Sequence, residues 1–189
     1  MIHKYLFETI EEEGKRLGIP PDKKRALIRE YLQSKMIFYL YEEGAAKNLS
    51  FIGGTSLRLL RDLDRFSEDL DFDNLNLSFT EVKKLFSHVK KKLEREGFSL
   101  EYKNLTFGQN LPGFASRMKK TNDSAVGELK FKDLLFRLGI SAHSQENLAI
   151  RINYTIPHIV PATESLVLVR FGMVQSVVTN TAEFLLSQK

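Results

Sequence analysis

The stretch "FIGGTSLRLLRDLDRFSEDLDFD", Phe51 to Asp73, decides how the rest of the chain reads. An apolar run meets a glycine pair, then a hydroxyl pair, an apolar-periodic segment, and finally carboxylates alternating with apolar residues. "NLSFI" predicts a short buried strand and Gly53-Gly54 a turn. "TSLRLLRDL" predicts a helix opened by Thr55 or Ser56 at its cap. In "DLDFDNL", Leu70 and Phe72 alternate with Asp69, Asp71 and Asp73, and a period of two places all three carboxylates on one face of a strand.

These residue types in this order suit phosphate and metal chemistry. Glycines lack a Cβ, so the backbone can take positive φ and approach a ligand, while amides at a helix start point at phosphate oxygens. Asp69 and Asp71 lie roughly 6.5–7 Å apart at Cα on a strand that rises about 3.3 Å per residue. Their oxygens can therefore converge on one or two divalent cations. Magnesium takes one or two carboxylates together with substrate phosphates, and a third acid normally completes a two-metal arrangement. A glycine pair alone is usually a turn, and D-x-D alone is usually a solvated face. Joined at this separation, three acids on one face with only Arg61 and Arg65 as local compensation call for a cation. Ser67 is expected to hold the turn into the strand by bonding local backbone.

Working outward, Ile2 to Leu17 predicts a helix that stops at Gly18, and "GIPPDKK" breaks the chain. A second helix is expected from about Asp22 to Glu43, ended by Gly44. "SFTEVKKLFSHVKKKLEREG" is the clearest amphipathic helix, with Ser78 or Thr80 at its cap, Val82, Leu85, Phe86, Val89 and Leu93 on one face, and Gly97 at its end. Phe98 to Phe107, Val126 to Ile140, Leu148 to Ile156 and Leu166 to Val178 read as strands and hairpins, and a last helix begins near Thr181. Leu111 to Gly127 forms one long polar loop. The layout is α+β: a mixed β-sheet flanked by helices, preceded by an N-terminal helical segment.

A chain of 189 residues with 42% hydrophobic and 28% charged residues is an ordinary soluble composition for one domain. With no cysteine, disulfides, thiolate zinc sites and a cysteine nucleophile are excluded together. His3, His88, His143 and His158 are widely spaced, with no zinc-like pairing. Glu8 and Glu11 to Glu13 argue against a secretory signal, and nothing approaches the roughly 20 apolar residues of a membrane span. The expected location is cytoplasmic, with no membrane partner. A formal charge of +4 gives a mild bias toward polyanions. Lys90 to Lys92 reads as a solvated helix face, and Arg117 to Lys120 as a flexible basic loop able to clamp a triphosphate or a tRNA end.

The motif "FIGGTSLRLL...RFSEDLDF" resembles the AbiEii/AbiGii toxin group of nucleotidyltransferases, within the DNA polymerase β-like superfamily. "IPPDKKRALIREYLQSKMIFYL" and "GELKFKDLLFRLGIS...ENLAIRINYT" extend the likeness loosely over most of the chain. The resemblance implies a single nucleotidyltransferase-like domain over 1–189, with helices over 1–46 and the sheet core over 47–189. It implies that Gly53, Gly54, Thr55 and Ser56 contact nucleotide phosphates, joined by Arg65 and Ser67 of the same motif. Asp69 and Asp71 become the catalytic pair that holds Mg²⁺ or Mn²⁺. Lys189 matches a lysine at the start of the group's following catalytic helix.

Two departures accompany the likeness. In "IRIN", Asn153 stands where the group generally carries a central-strand carboxylate, and an asparagine ligates only through a neutral carbonyl and cannot act as a base. Base duty would then pass to the metal, Glu164 or Glu128. The group's C-terminal helical half has no counterpart after Lys189. The expected function is metal-dependent transfer of a nucleotidyl group from a nucleoside triphosphate to an acceptor, RNA or tRNA by resemblance, with a cognate antitoxin as partner. The alternatives are a catalytically impaired nucleotide- or partner-binding module of this fold, or an enzyme that modifies small molecules.

Overall fold

The computed structural model describes residues 2–107, 124–138 and 147–187. Lys189, the basic loop at 117–120 and His143 lie outside the described residues. In chain order the elements are α1 (Ile2–Arg16), a 3₁₀ turn (Pro21–Lys23), α2 (Lys24–Tyr41), a 3₁₀ turn (Gly44–Asn48), β1 (Leu49–Ile52), α3 (Gly53–Arg61), β2 (Leu70–Asn74) and α4 (Phe79–Arg95). Then follow β3 (Leu100–Phe107), β4 (Ser124–Phe131), α5 (Leu134–Arg137), β5 (Leu148–Thr155), β6 (Thr163–Arg170), β7 (Met173–Asn180) and α6 (Ala182–Ser187). No helix among the described residues is long and apolar enough to cross a membrane.

Five strands form a mixed sheet in the order β1-β2-β5-β4-β3, and β6 with β7 forms a separate two-stranded sheet. Only β2 and β5 pair in parallel; the other described pairings are antiparallel. Alternation gives the larger sheet two unlike faces. Leu49, Phe51, Leu70, Phe72, Ile150, Ile152, Leu129 and Phe131 are all buried on one of them. Phe72 sits at the centre of that face, with its ring 5.5 Å from both Phe51 and Phe86 of α4. The same apolar cluster runs on through Leu32, Met36 and Ile37 of α2 to Leu6 and Ile10 of α1. By register, the opposite face carries Ser50, Asp71, Asp73, Arg151, Asn153 and Glu128.

Local chemistry accounts for the element ends. A capping box opens α4: Ser78 Oγ accepts from the Glu81 amide, and the Ser78 amide donates to Glu81 Oε2. The β6–β7 hairpin turns through Phe171 and Gly172, both at positive φ, the geometry that matches the twist of two-residue hairpin loops.

Several boundaries differ from expectation. The strand read from Val126 to Ile140 stops at Phe131; the chain turns at Asp133, with φ 56°, and enters the short α5, which buries Leu134 and Leu135. An apolar run long enough for a strand is here a strand end and a helical turn, which periodicity does not separate. The loop read as reaching Gly127 gives way to β4 at Ser124. α2 starts two residues later than read, behind the 3₁₀ turn that Pro20 and Pro21 impose. α3 begins at Gly53, its N-cap is Ile52, and no side chain caps it, so Thr55 and Ser56 are not the cap.

The hairpin is fastened to the free edge of β1 by side chains. The buried Tyr41 hydroxyl lies 2.7 Å from the Leu49 carbonyl and 3.1 Å from the Val178 carbonyl, so one proton serves two elements. Thr179 Oγ1 donates to the Phe51 carbonyl at 2.6 Å, and Ser56 Oγ lies 3.1 Å from Thr179 Oγ1. Burial drives the Tyr41 phenol far above its ordinary pKa, which keeps it a neutral donor at any working pH. Tyr41→Phe should therefore cost about 1–3 kcal/mol, the penalty for leaving buried carbonyls short of a donor. Urea denaturation should show a lower midpoint with an unchanged slope; an unaltered midpoint would mean the tie carries no stability.

Candidate functional site

Three neighbouring pieces of chain meet on the polar face of the sheet: the β1–α3 turn, the start of β2, and the middle of β5. The β1–β2 register sets Ile52 opposite Asp71, and the β2–β5 register sets Asp71 opposite Asn153. Gly53 follows Ile52 directly, at φ 75°. A Cβ built on Gly53 would lie 2.1 Å from Asp71 Oδ2 and 2.8 Å from its Cγ. The glycine is thus required twice, once for its backbone angle and once for the carboxylate that occupies the place of its side chain. Gly54 is nearly as tight, with a built Cβ 2.9 Å from Ser67 Oγ.

The other Asp71 oxygen, Oδ1, accepts a 2.7 Å hydrogen bond from Asn153 Nδ2. Asn153 is 6% exposed, and its Oδ1 is buried with no hydrogen-bond partner among the described residues. A buried polar atom in that state normally has an explanation, such as an ion or water. Asp69 sits one residue before the β2 ladder, its side chain 34% exposed and its Oδ2 4.0 Å from Arg151 Nη1. Asp73 is 8% exposed and is committed elsewhere: Asn180 Nδ2 donates to its Oδ2 at 3.1 Å, and Ser50 Oγ donates to Asn180 Oδ1 at 2.6 Å.

The electrostatics follow from this layout. Burial raises the pKa of Asp71, the Asn153 hydrogen bond opposes that rise, and the charges of Asp69 and Asp73 add to it. Burial likewise raises Asp73, with the Asn180 bond opposing. Two neighbouring carboxylates, with Arg151 against Asp69 and no cation among the influences on Asp71, are a setting in which a bound cation repays desolvation.

The expected site residues separate into groups. Gly53, Gly54, Asp69, Asp71 and Asn153 come together, with the Ser67 hydroxyl over Gly54. Thr55 and Ser56 are each 1% exposed and their hydroxyls are engaged inside the protein, Thr55 with the Asp69 carbonyl and Ser56 with Thr179. What these two positions can offer a phosphate is their backbone. Arg65 is exposed on the loop before β2. Arg61, expected to offset the acids, instead donates to Glu164 Oε1 at 2.7 Å and to the Asn180 carbonyl at 2.9 Å. Glu164 is therefore held by Arg61, and Glu128, paired with Lys130 at 3.5 Å, lies across from Arg151. Lys90 and Lys92 form ion pairs with Glu94 and Glu42 on the solvated side of α4. Asn180, Ser50 and Thr179 escape a sequence reading, because they matter through contacts more than a hundred residues apart along the chain.

The donor set is hard oxygen. Among the described residues no group of three or more His, Cys, Asp or Glu surrounds a possible ion. The set on offer is two carboxylates and one orphaned amide oxygen, which suits Mg²⁺ or Mn²⁺ and leaves room for substrate oxygens.

Comparison with known proteins gives the following. The family described as nucleotidyl transferase AbiEii toxin, Type IV TA system, matches residues 37–172. No curated protein matches the chain. Among solved structures, the nucleotidyltransferase toxin MenT4 (Rv2826c) from Mycobacterium tuberculosis H37Rv is similar with a TM-score of 0.55 and 14% identity, over 92% of this chain and 55% of its own. JHP933 from Helicobacter pylori is similar at 0.49 and 18% identity, over 86% and 55%. The chain thus spans about half the length of these structures. At such identities the MenT4 likeness concerns the fold: the same mixed sheet flanked by helices.

Gly53→Ala should cost at least about 1–3 kcal/mol from backbone strain alone and should displace the Asp71 carboxylate. Its check is a pair of thermal melts with and without Mn²⁺: the variant should melt lower and lose any metal-induced rise. Asp71→Asn should do the opposite to stability. The folded-state pKa of Asp71 is raised, so folding holds its proton more tightly than the unfolded chain does; the ionised group costs stability above that pKa, and the cost vanishes as pH falls below the ordinary carboxylate value of about 4. The variant should melt above wild type at pH 7, by about 2–4 °C per kcal/mol relieved, with the gap closing toward pH 4. A gap that widens on acidification would contradict the sign.

Proposed function

The chain belongs to the nucleotidyl transferase AbiEii toxin family, and from that premise we propose that it moves a nucleotidyl group from a nucleoside triphosphate to an acceptor hydroxyl. The observation that carries this reading is the convergence of Gly53, Asp71 and Asn153, whose Oδ1 is buried with no hydrogen-bond partner among the described residues. The triphosphate lies beside the β1–α3 turn, where Gly53 and Gly54 carry no Cβ, the Asp71 carboxylate and the Ser67 hydroxyl pack close by, and no side chain caps the α3 amides by a hydrogen bond. Asp69 and Asp71 hold the divalent ion, with Asn153 Oδ1 as a neutral third donor. When bound, such an ion neutralises triphosphate charge and acidifies the attacking hydroxyl.

In the transfer, the acceptor hydroxyl gives its proton to solvent water as its oxygen bonds to the α-phosphorus, the bond from that phosphorus to the bridging oxygen breaks, and pyrophosphate leaves. Positioning and charge neutralisation supply most of the rate. Asn153 takes no proton, so it orients Asp71 and does not act as a base. RNA is the proposed acceptor, on the support of the family likeness and the +4 charge. A cognate antitoxin is the proposed partner, on the support of the family's toxin–antitoxin description. Both belong in the cytoplasm, where triphosphates and RNA are found. One observation favours a second reading, nucleotide binding without turnover: the position across from Asp71 is an amide, which gives the cleft one negative charge fewer than a third acid would.

Incubation with each labelled triphosphate, Mg²⁺ and bulk RNA should give incorporation. Asp69→Ala or Asp71→Ala should reduce it by more than the about 10–100-fold that loss of a supporting residue costs a metal site. Asn153→Asp should tighten Mn²⁺ binding in calorimetry. Triphosphate binding with no incorporation would select the second reading; incorporation that survives in the double aspartate variant would overturn both.

A further inference from the structure

Asp71 is placed by the sheet, because it pairs with Ile52 on one side and Asn153 on the other. Asp69 has no such support, since β2 begins at Leu70. It ends the segment of residues 62–69, which forms no helix or strand.

That segment is nonetheless gripped along its length. Arg170 of β6 donates to Asp62 Oδ1 at 2.5 Å. Arg58 of α3 donates from Nη1 to the Leu63 carbonyl at 3.2 Å and lies 4.2 Å above the ring of Phe66. Arg58 is itself held by Glu30 of α2, which is 2% exposed, through a 2.7 Å bond from Nε to Oε2. From the same helix, Arg29 pairs with Glu68 and, one turn beyond Glu30, Gln33 Nε2 donates to the Ser67 carbonyl at 3.1 Å. Thr55 Oγ1 then takes the Asp69 carbonyl.

A buried pair such as Glu30–Arg58 is a poor source of net stability, because desolvation cancels most of the attraction. What it does supply is a fixed geometry. We propose that Glu30, Arg58 and Gln33 are positioning residues that lock the 62–69 segment against α2, so that Asp69 stands beside Asp71 before any ligand arrives. This rests on reading Asp69 and Asp71 as an ion-holding pair. It makes α2 part of the working site.

The test uses the full chain with Gln33→Met, which keeps the length of the side chain and removes the donor without burying a charge at a position 2% exposed, and Gln33→His, which returns a neutral N–H donor. Glu30→Gln is a harsher companion and can fail to fold; Gln33 carries the decision. Two readouts are taken well below the melting temperature: hydrogen exchange of peptides over 62–69 and calorimetric titration with Mn²⁺. In Gln33→Met, exchange should accelerate over 62–69 but not in β2 or β5, and Mn²⁺ affinity should fall about tenfold or more, with recovery in Gln33→His. Unchanged exchange overturns the clamp. Faster exchange with unchanged Mn²⁺ affinity overturns its role in placing Asp69. A wild-type protein that takes up no Mn²⁺ overturns the ion-pair reading itself, and the positioning role falls with it.

Discussion

The site exists because one residue has no side chain. Asp71 Oδ2 occupies the volume that a β-carbon on Gly53 would fill, so the carboxylate can lie against the main chain at the point where β1 becomes α3. Every other feature of the cleft follows from that contact. It sets an acid against the start of a helix, and it leaves the other Asp71 oxygen to accept from Asn153 of β5. It also explains why burial, not a neighbouring charge, is the largest influence on Asp71. An acid pressed against backbone has lost water without gaining a cation.

The three aspartates of the motif look alike in sequence and play different parts. Asp71 lies in the cleft, Asp69 stands at its rim near Arg151, and Asp73 is an internal anchor that joins β2 to the hairpin through Asn180 and Ser50. The same division holds for the hydroxyls. Thr55 and Ser56 face inward and fasten α3 to β2 and to β7, so the glycine turn is rigid because its neighbours are spent on structure. Preorganised geometry of this kind is what positioning-based catalysis demands.

Much of this was legible in the sequence, for identifiable reasons. The amphipathic α4, the alternation in β2 and the α+β layout rest on local periodicity, which the tertiary structure only has to respect. The convergence of Gly53 with Asp71 was legible because a strand, a turn and a returning strand leave few ways for the chain to fold back. What was not legible was decided by distant partners. Nothing around Arg61 reveals that Glu164 and the Asn180 carbonyl will claim it. Nothing around Glu30 foretells that a buried acid on α2 will hold Arg58. The end of β4 at Phe131 was misjudged because apolar Leu134 and Leu135 continue the strand-like composition into a helical turn.

The one parallel pairing among the described strands has a temporal side. Asp71 and Asn153 are 82 positions apart along the chain, and α4, β3 and β4 must all be made before β5 can dock against β2. Closing so long a span comes late in folding, since its entropy is lost before the contact repays it. A nascent polypeptide that has emerged only through β4 already carries both acids and the glycine bend, but no strand to complete the hollow. During synthesis, the hollow therefore closes only once β5 has been made, 82 positions after Asp71.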